Sequence, residues 1–389
     1  MERNVLAAIR SLGRKAHTID IAYPVEKPDS KELYLERLLK SQYIRYIRYI
    51  PDPLITPKGF IDHIIKLMKK GEYDLLMPFT SKTFPLISLH SKELGKYTKL
   101  ICSDFATYSK ANDKEKISSI AKAIGLSVPK SICPHTIDDL EEQIAQLEFP
   151  VVIKARVNCG MSKGLRYAYN MDELIGAYSE ISQQQSIKGL REFDQPLIQE
   201  YIPGKIYDAL YYYHHGDLLA FFTQYREITN PLSGGPGVQN VTVKDKNLYD
   251  YGKILLDALK WHGPAMVEVM LDERDNRYKL LEINPKFWGT LDLSMKCGVN
   301  FPLIALQMTL DGKRQDQETR DFKEGLRYRW PKSFVKAHRA AGYSIREILK
   351  KMTKTVEFND FDYRDLGPTA YTLLGVFVNL FKKSGRLTL

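Results

Sequence analysis

The sequence lacks closely spaced cysteines. Its 389 residues contain only four, at Cys102, Cys133, Cys159 and Cys297. No two of them form a CxxC pair, so their spacing predicts neither a cysteine-bound zinc site nor a disulfide framework. Sparse cysteines of this kind are typical of reduced thiols in the cytoplasm.

Long apolar runs are also missing. None approaches the ~20 residues that a membrane-spanning helix needs, and the polar residues 2–4 do not resemble a secretory signal. We therefore expect a cytoplasmic protein. The run that comes nearest to this length is 370–381, AYTLLGVFVNLF, which is followed by Lys382, Lys383 and Arg386. Two interpretations stay open for this stretch: a helix docked on the protein itself, or a helix lying in an anionic membrane surface.

The chain has an excess of positive charge, but it is not concentrated. There are 57 lysines and arginines against 47 acidic residues, which gives a net charge of +10. Such an excess can suit nucleic acid, an anionic membrane or a phosphate-rich ligand. Because the basic residues are spread along the chain, they favour a solvated surface, and nucleic acid is not an expected partner.

The order of helical and strand patterns divides the chain into four segments. A chain of this length is expected to form two or three domains. The first segment alternates helices with short apolar strands, which predicts an open parallel sheet covered by helices. The middle is α+β with antiparallel strands, and the end is basic and mostly helical. The segments cover residues 1–109, 110–195, 196–319 and 320–389.

Two carboxylates lie within apolar strands near residues 270 and 280. The turn formers DERDN allow a hairpin centred on Asp275, which places Glu268 opposite Glu282 with Asn284 on the same face. Facing carboxylates repel each other unless a cation lies between them. Glu, Glu and Asn offer only oxygen, so the pattern predicts Mg²⁺ or Mn²⁺ shared with substrate phosphates. The alternative is a shifted register that leaves one glutamate at the surface.

Three weaker patterns contain lysine, glycine or glutamate. Lys154 ends an apolar strand and precedes a polar loop whose small and charged residues suit phosphate binding. Segment 197–204, LIQEYIPG, is an apolar strand that carries Gln199 and Glu200, and its edge can pair with a purine. Lys114 lies at a predicted helix start. Taken singly, each has an ordinary explanation: a solvent turn, an exposed edge strand and a solvated helix end.

Taken in order, these patterns resemble the ATP-grasp superfamily. The order is a lysine at a helix start, a strand lysine before a glycine loop, a Q-E-x-I hinge strand, and a glutamate followed by E-x-N. The resemblance covers roughly residues 1–312, and 282–302 looks like the carboxylate–amine ligase and carbamoyl-phosphate synthetase branch. It implies an ATP-grasp fold of α/β and α+β type. The segments would be an open parallel α/β pre-ATP-grasp domain (1–109), a small lid subdomain (110–195), a central sheet with the metal site (196–319) and a basic helical extension (320–389).

The resemblance also implies ATP and Mg²⁺ (or Mn²⁺) as cofactors and a role for each matching residue. Contacts to the ATP phosphates are implied for Lys114, Lys154, Gly160, Ser162, Lys163 and Gly164. Contacts to adenine are implied for Glu200 and Ile202, a contact to the nucleotide for Gln199, and contacts to the ribose hydroxyls for Asp208. Metal ligands would be Glu268, Glu282 and Asn284.

Three departures from the family pattern affect these expectations. Lys286 follows Asn-Pro where the family usually has arginine, so the charge is kept but the two-pronged guanidinium contact is lost. Asn158 and Cys159 stand in the glycine loop where smaller residues are common. The chain begins with a helix pattern instead of a strand and a glycine-rich turn, which puts the folding of the N-terminal domain in doubt.

The activity implied by the resemblance is ATP-dependent carboxylate–amine ligation through an acyl phosphate, releasing ADP and phosphate. Arg226 and Lys286 are the expected catalytic residues, near a loop at 233–237. The expected substrates are a small acid and a small amine, and the family analogy favours a homodimer. Residues 211–215, three tyrosines and two histidines, are expected to be sheet packing and a turn. Two alternatives stay open: carbamoyl-phosphate or carboxylation chemistry with bicarbonate, and a non-catalytic nucleic-acid- or membrane-binding protein.

Overall fold

The computed structural model describes residues 3–25, 37–157, 165–183, 195–232, 234–313, 322–354 and 356–381. The glycine loop from Asn158 to Gly164, which is predicted to close over phosphates, lies outside these residues, as does Ser233 of the loop at 233–237. Within the described residues, Cys102, Cys133 and Cys297 are free thiols.

The N-terminal segment contains short parallel strands between helices. Its elements are α1 (Arg3–Gly13), β1 (Ile19–Val25), a 3₁₀ turn (Arg37–Lys40), β2 (Ile44–Pro51), α2 (Pro57–Lys69), β3 (Leu75–Leu76), α3 (Phe84–Leu89), α4 (Ser91–Leu94) and β4 (Lys99–Leu100). The predicted parallel pairing is confirmed for β1 with β2 and for β3 with β4. In the described residues these strands form two separate two-stranded sheets. The apolar face of α2 covers them, with Phe60 and Ile64 fully buried.

The second segment is a small antiparallel sheet with helices on it. Helix α5 (Phe105–Asn112) leads into it from the first segment. Its own elements are α6 (Lys114–Ala123), β5 (Ser131–Ile132), α7 (Ile137–Gln143), a 3₁₀ turn (Ile144–Gln146), β6 (Val151–Lys154), β7 (Leu165–Ala168) and α8 (Met171–Ser182), and β8 (Leu197–Glu200), just past the predicted boundary, completes its sheet. The strand order is β5-β8-β6-β7. Val151 and Ile153 of β6 are fully buried against α8, because every second side chain of a strand points to the same face.

The third segment is the large sheet that supports the candidate site. Its elements are β9 (Gly204–His214), β10 (Asp217–Thr229), β11 (Gly237–Thr242), α9 (Lys246–Ala258), β12 (Gly263–Asp272) and β13 (Arg277–Asn284). One face of β9 and β12 is apolar and packs on α9 through residues such as Tyr211 and Val267. Tyr211, Tyr212 and Tyr213 are completely buried, so the predicted sheet packing is confirmed. The opposite face carries the polar row described below.

The C-terminal segment is mostly helical, as predicted, but it also extends the sheet. Helices α10 (Leu291–Lys296) and α11 (Phe301–Asp311) end the third segment. The C-terminal segment contains β14 (Arg327–Arg329), α12 (Pro331–Ala340), α13 (Ile345–Met352), β15 (Phe358–Asn359) and α14 (Leu366–Phe381). β14 pairs with β11 and β15 with β14, so the full order is β13-β12-β9-β10-β11-β14-β15. Arg10 of α1 forms a buried ion pair with Asp365 at 2.8 Å, which ties this segment to the N-terminal one.

Helix α14 packs on the protein with one face and exposes the other. Leu380 is buried with Val335 of α12 and Ile348 of α13. Leu373, Leu374, Phe377, Val378 and Phe381 are each more than half exposed. Among the described helices, none is both long and apolar enough to cross a membrane. Residues 370–381 thus dock on the protein through one face and leave an apolar stripe facing outward, which the membrane interpretation would use.

Candidate functional site

Three carboxylates lie side by side on adjacent strands of the large sheet. Glu268 of β12 is paired directly with Glu282 of β13, as predicted, although nearer the turn the register is one residue off a hairpin centred on Asp275. On its other side, Glu268 is paired with Asp208 of β9. Cross-strand partners project from the same face, so the three side chains form one acidic row. The side chain of Asp208 is only 1% exposed and that of Glu268 11%, whereas Glu282 is more open at 21%.

A β-bulge in β13 places Glu282 in this row. From the turn, Asp272 pairs with Arg277 and Val269 with Leu280, and that register would bring Leu281 opposite Glu268. Instead the register shifts by one residue, and Glu282 takes the position. Bulges of this kind re-aim side chains next to active sites. Without the bulge, Glu282 would project to the apolar face of the sheet.

The amide of Asn284 bridges the two glutamates. Its Nδ2 donates to Oε1 of Glu268 and to Oε1 of Glu282, both at 2.8 Å. Its Oδ1 accepts a hydrogen bond from Nζ of Lys286 at 3.1 Å. A 180° turn of the amide would direct Oδ1 toward a cation held by the carboxylates. The three predicted metal ligands are therefore brought together, and their oxygen donors suit Mg²⁺ or Mn²⁺.

Arg226 of β10 neutralises the buried end of the row. Its guanidinium contacts Oδ1 of Asp208 at 2.6 Å and Oε2 of Glu268 at 2.7 Å. Its Nη1 donates to the carbonyl of Gly235 at 3.0 Å, which fixes the loop between β10 and β11. Gly235 has φ +111°, a backbone conformation that L side chains rarely adopt. Arg226 thus connects the acidic row to the loop that the sequence places near the reacting group.

Three lysines approach the row from different elements. Lys114 begins α6, where Asp113 caps the helix, and its Nζ lies 3.1 Å from Oε2 of Glu282. Lys154 ends β6, and its Nζ donates to Oε1 of Gln199 at 2.7 Å. Lys286 follows β13 and reaches Asn284. These lysines come from three elements: the linking helix α6, the strand β6 of the small sheet and the segment that follows β13 of the large sheet.

Burial and neighbouring charges shift the protonation of these groups in opposite directions. Burial raises the pKa of Glu268 above its ordinary value, more than Arg226 lowers it. Burial alone would raise the pKa of Glu282 too, but Lys114 and the Asn284 amide hold it well below its ordinary value. Burial lowers the pKa of Lys154 to about 8 and also lowers the pKa of Lys286. Buried ammonium groups of this kind gain most from a nearby anion.

The hinge strand β8 lies beside Lys154. The side chain of Gln199 is 2% exposed, and its Nε2 has no hydrogen-bond partner within the described residues. The carboxylate of Glu200 accepts from the backbone N–H of Lys130 at 2.8 Å and from Arg274 at 3.0 Å. Ile202 is buried at 4%. An adenine contact through the Glu200 carboxylate would have to replace one of these partners. A contact through the backbone of Glu200 or Ile202 would leave both partners in place.

Asp208 has partners that do not fit the ribose contact implied by the resemblance. Its carboxylate is occupied by Arg226 and by Nε2 of Gln224 at 2.9 Å. It is also almost fully buried in the acidic row. A side chain fixed in this way positions Glu268 and Arg226, and it is not presented to a sugar. The ribose contact therefore stays a prediction that this geometry does not favour.

Two buried amides were missed by the sequence reasoning. Gln224 also donates to Oγ1 of Thr290 at 2.6 Å, and it is completely buried. Asn240 of β11 is paired with Arg226, and neither of its side-chain polar atoms has a hydrogen-bond partner in the described part of the chain. The signal was present in the alternation along β10, because Gln224 and Arg226 share one face.

Comparison with known families decides the fold. The family described as "Carbamoyl-phosphate synthase L chain, ATP binding domain" matches residues 113–204. The family described as "ATP-grasp in the biosynthetic pathway with Ter operon" matches residues 192–334. Together the two matches indicate an ATP-grasp fold. Every predicted site residue, from Lys114 to Lys286, lies within them.

Curated relatives match only with part of their length. The carbamoyl phosphate synthase large chain of Methanobrevibacter smithii is 22% identical over 296 residues, which is 69% of this chain and 27% of the relative. The same protein of Campylobacter jejuni is 24% identical over 166 residues, or 38% of this chain and 15% of the relative. The ATP-grasp chain thus spans roughly a quarter or less of the length of these relatives.

Solved structures share the fold at low identity. The biotin carboxylase domain of Hydrogenobacter thermophilus 2-oxoglutarate carboxylase superposes with a TM-score of 0.66 at 14% identity, covering 84% of this chain and 71% of that chain. An L-amino acid ligase from Bacillus licheniformis gives a TM-score of 0.61 at 17% identity, covering 84% and 76%. The predicted ATP-grasp fold, with its α/β and α+β parts, is confirmed.

Proposed function

We propose that the protein is an ATP-dependent carboxylate–amine ligase that forms an amide and releases ADP and phosphate. One observation supports this most strongly. Glu268, Glu282 and Asn284 form an oxygen-donor cluster, and lysines from both sheets approach it. A divalent ion held there would bridge ATP phosphates and neutralise charge during transfer.

The chemistry explains why such a site is useful. A carboxylate is a poor electrophile, because an amine cannot readily displace its oxygen. Transfer of the γ-phosphoryl group of ATP to the carboxylate oxygen forms an acyl phosphate and leaves ADP. The amine then attacks the carbonyl carbon, the C–O bond to phosphate breaks, and the amine loses a proton. This route needs no covalent attachment to a side chain of the protein.

Each part of the site has a role in this proposal. Lys114 and Lys154 bind the phosphates, and the predicted loop residues Gly160, Ser162, Lys163 and Gly164 cover them. Glu200 of the hinge strand and Ile202 just beyond it read adenine, and Gln199 contacts the nucleotide. Lys286 contacts the transferring phosphoryl group, and Arg226 holds Glu268 and the 234–237 loop in place.

The comparisons support this activity without deciding the substrates. The Bacillus licheniformis neighbour is named as an L-amino acid ligase, and the biotin carboxylase neighbour is described in complex with MgADP and bicarbonate. The relatives named carbamoyl phosphate synthase favour bicarbonate chemistry as a second candidate. We propose small-molecule acid and amine substrates, a cytoplasmic location and, because the biotin carboxylase neighbour is described as a dimer, a homodimer.

The proposal can be tested with ¹⁸O-labelled carboxylic acids. Purified protein is incubated with ATP, Mg²⁺ and a panel of labelled acids, and hydroxylamine replaces the unknown amine. For an accepted acid we expect ADP, a hydroxamate and one ¹⁸O atom in the released phosphate. ADP release that depends only on bicarbonate would favour the second candidate. ADP with unlabelled phosphate, or no ADP with any acid, would contradict the ligase proposal.

We also propose that the exposed stripe of α14 contacts an anionic membrane surface. Its large apolar side chains are followed in the sequence by Lys382, Lys383 and Arg386, which complement anionic headgroups. We expect flotation with anionic vesicles but not neutral ones, and its loss in Phe377→Glu but not in Leu349→Glu, an exposed control on α13. Equal flotation of Phe377→Glu would contradict the contact. A dimer that Phe377→Glu dissociates, without any vesicle binding, would also contradict it, because the stripe would then join two copies of the chain.

A further inference from the structure

Three histidines meet at the end of the large sheet that lies away from the acidic row. His214 ends β9, His215 follows in the turn to β10, and His262 directly precedes β12. Position 214 is six residues beyond Asp208 on the same strand, which corresponds to about 20 Å at the usual strand rise. The cluster is therefore separate from the proposed ATP site.

The backbone holds these histidines together. The N–H of Gly216 donates to the carbonyl of Trp261 at 2.9 Å, which joins the β9–β10 turn to the start of β12. Oγ of Ser103 donates to the carbonyl of His262 at 2.5 Å. One ring nitrogen from each histidine lies within 4.8 Å of the other two. The β9–β10 turn, the start of β12 and the Ser103 contact thus hold the three histidines close together.

The protonation state of the cluster suits a ligand role. Burial, with help from the other two rings, lowers the pKa of His262 to about 4. Burial, followed by the effect of His215, also lowers the pKa of His214. Both imidazoles are neutral at pH 7, and the neutral ring is the form that binds metal ions. Nδ1 of His214 is buried and has no hydrogen-bond partner among the described residues.

We propose that His214, His215 and His262 form a binding site for a transition-metal cation that prefers imidazole, of which Zn²⁺ is the representative. Three histidines with remaining positions for water match the ligand preference of Zn²⁺. The same donors are poor ligands for Mg²⁺, which takes oxygen. The chain would then hold two different cations, an oxygen-bound one at the acidic row and a nitrogen-bound one at this turn.

Binding requires a local rearrangement that the structure permits. The rings of His215 and His262 are stacked, with centroids 4.2 Å apart and planes 3° from parallel. One ion cannot lie in both planes of such a stack, so the ring of His215 must turn. His215 is exposed, and its side chain can rotate in solvent. Nδ1 of His262 accepts the N–H of His215 at 3.2 Å, the long end of the normal range, so an ion can replace that contact.

The test uses untagged, chelator-treated protein in excess Mg²⁺, so that the acidic row is already supplied with its own ion. Zn²⁺ is titrated by calorimetry, and Co²⁺ absorption reports nitrogen ligation. We expect one equivalent bound, and binding at least about tenfold weaker in His215→Ala and His214→Ala, as for loss of a metal-site contact. His135→Ala, an exposed histidine outside the cluster, should bind like the original protein.

The readouts separate ligation from damage to the fold. His215 is exposed, so its substitution should leave the melting temperature unchanged without metal and remove the increase that Zn²⁺ causes. Zn²⁺ binding that is equal in His215→Ala, His214→Ala and His135→Ala would overturn the proposal. The outcome is independent of ADP release, because the cluster lies far from the acidic row.

Discussion

The two halves of the candidate site balance their charges differently. On the arginine side, one guanidinium faces two carboxylates, Asp208 and Glu268, and all three groups are buried. On the lysine side, three ammonium groups approach a single carboxylate, Glu282. One half therefore has surplus negative charge, and the other half has surplus positive charge.

This difference indicates which part of a ligand each half receives. The surplus carboxylate on the arginine side suits a cation, because an unpaired buried carboxylate is costly. The lysines suit phosphate oxygens, since burial has lowered the pKa of Lys154 and of Lys286. Glu282 lies at the boundary and is the most open of the three carboxylates. A metal–phosphate pair placed across this boundary would satisfy both halves.

Substitution of Glu282, the carboxylate at the boundary, should have the largest effect on the rate of ADP release. Glu282→Gln removes one charged metal ligand while keeping the shape, so we expect ATP-dependent ADP release to fall by about 100-fold or more. Glu273→Gln, an exposed glutamate in the turn of the same hairpin, is the matched control and should retain full activity. Equal rates for the two variants would remove Glu282 from the site.

The lysine side should show its effect in ATP binding. Lys154→Met removes a charged hydrogen-bond donor to phosphate, so kcat/KM for ATP should fall about 10- to 100-fold. Lys92→Met, an exposed lysine on α4, serves as the control. The assay is ADP release at varied ATP concentration. A Lys154→Met enzyme with an unchanged kcat/KM for ATP would show that the phosphates lie elsewhere.

The pH dependence of ATP binding follows from the same lysine. Burial lowers the pKa of Lys154 to about 8, so its ammonium form prevails below that pH and is lost as the pH rises through it. KM for ATP should therefore increase above pH 8, by at most about tenfold per pH unit. Lys154→Arg stays protonated over this range and should give a flatter profile. Parallel profiles would assign the titration to another group.

The smallest effect is expected where the chain departs from the usual family pattern. Lys286→Arg keeps the positive charge beside Asn284, so kcat should change by less than about tenfold, which corresponds to about 1.4 kcal/mol. Lys286→Met should lose more, because it removes the charge. If both variants fall equally, the shape of Lys286 matters and its charge does not.

The sequence could predict those parts of the site that depend on local patterns. A hairpin near Asp275 follows from a turn signal and strand alternation, and the order of motifs indicates the ATP-grasp fold. The bulge at Leu281, which brings Glu282 opposite Glu268, could not be predicted, because a turn signal locates the centre of a hairpin only to within about one residue. The pairing of β14 with β11 joins positions about 90 residues apart, which no local pattern specifies.

The partners of Asp208 show the same limit. Its salt bridge to Arg226 requires that β9 pairs with β10. The position of Glu268 beside it requires that β9 also pairs with β12. Local alternation indicates which face each side chain occupies, but not which strands lie next to each other. The resemblance alone implies a ribose contact for Asp208, whereas its buried contacts favour a positioning role.

The central claim is that the acidic row holds a cation shared with nucleotide phosphates. Anomalous diffraction from crystals grown with Mn²⁺ and a non-hydrolysable ATP analogue tests it most directly. We predict a manganese peak contacted by Glu268, Glu282 and Asn284, with the analogue phosphates between that ion and Lys154. A bound nucleotide whose manganese is held by none of these three residues would contradict the account.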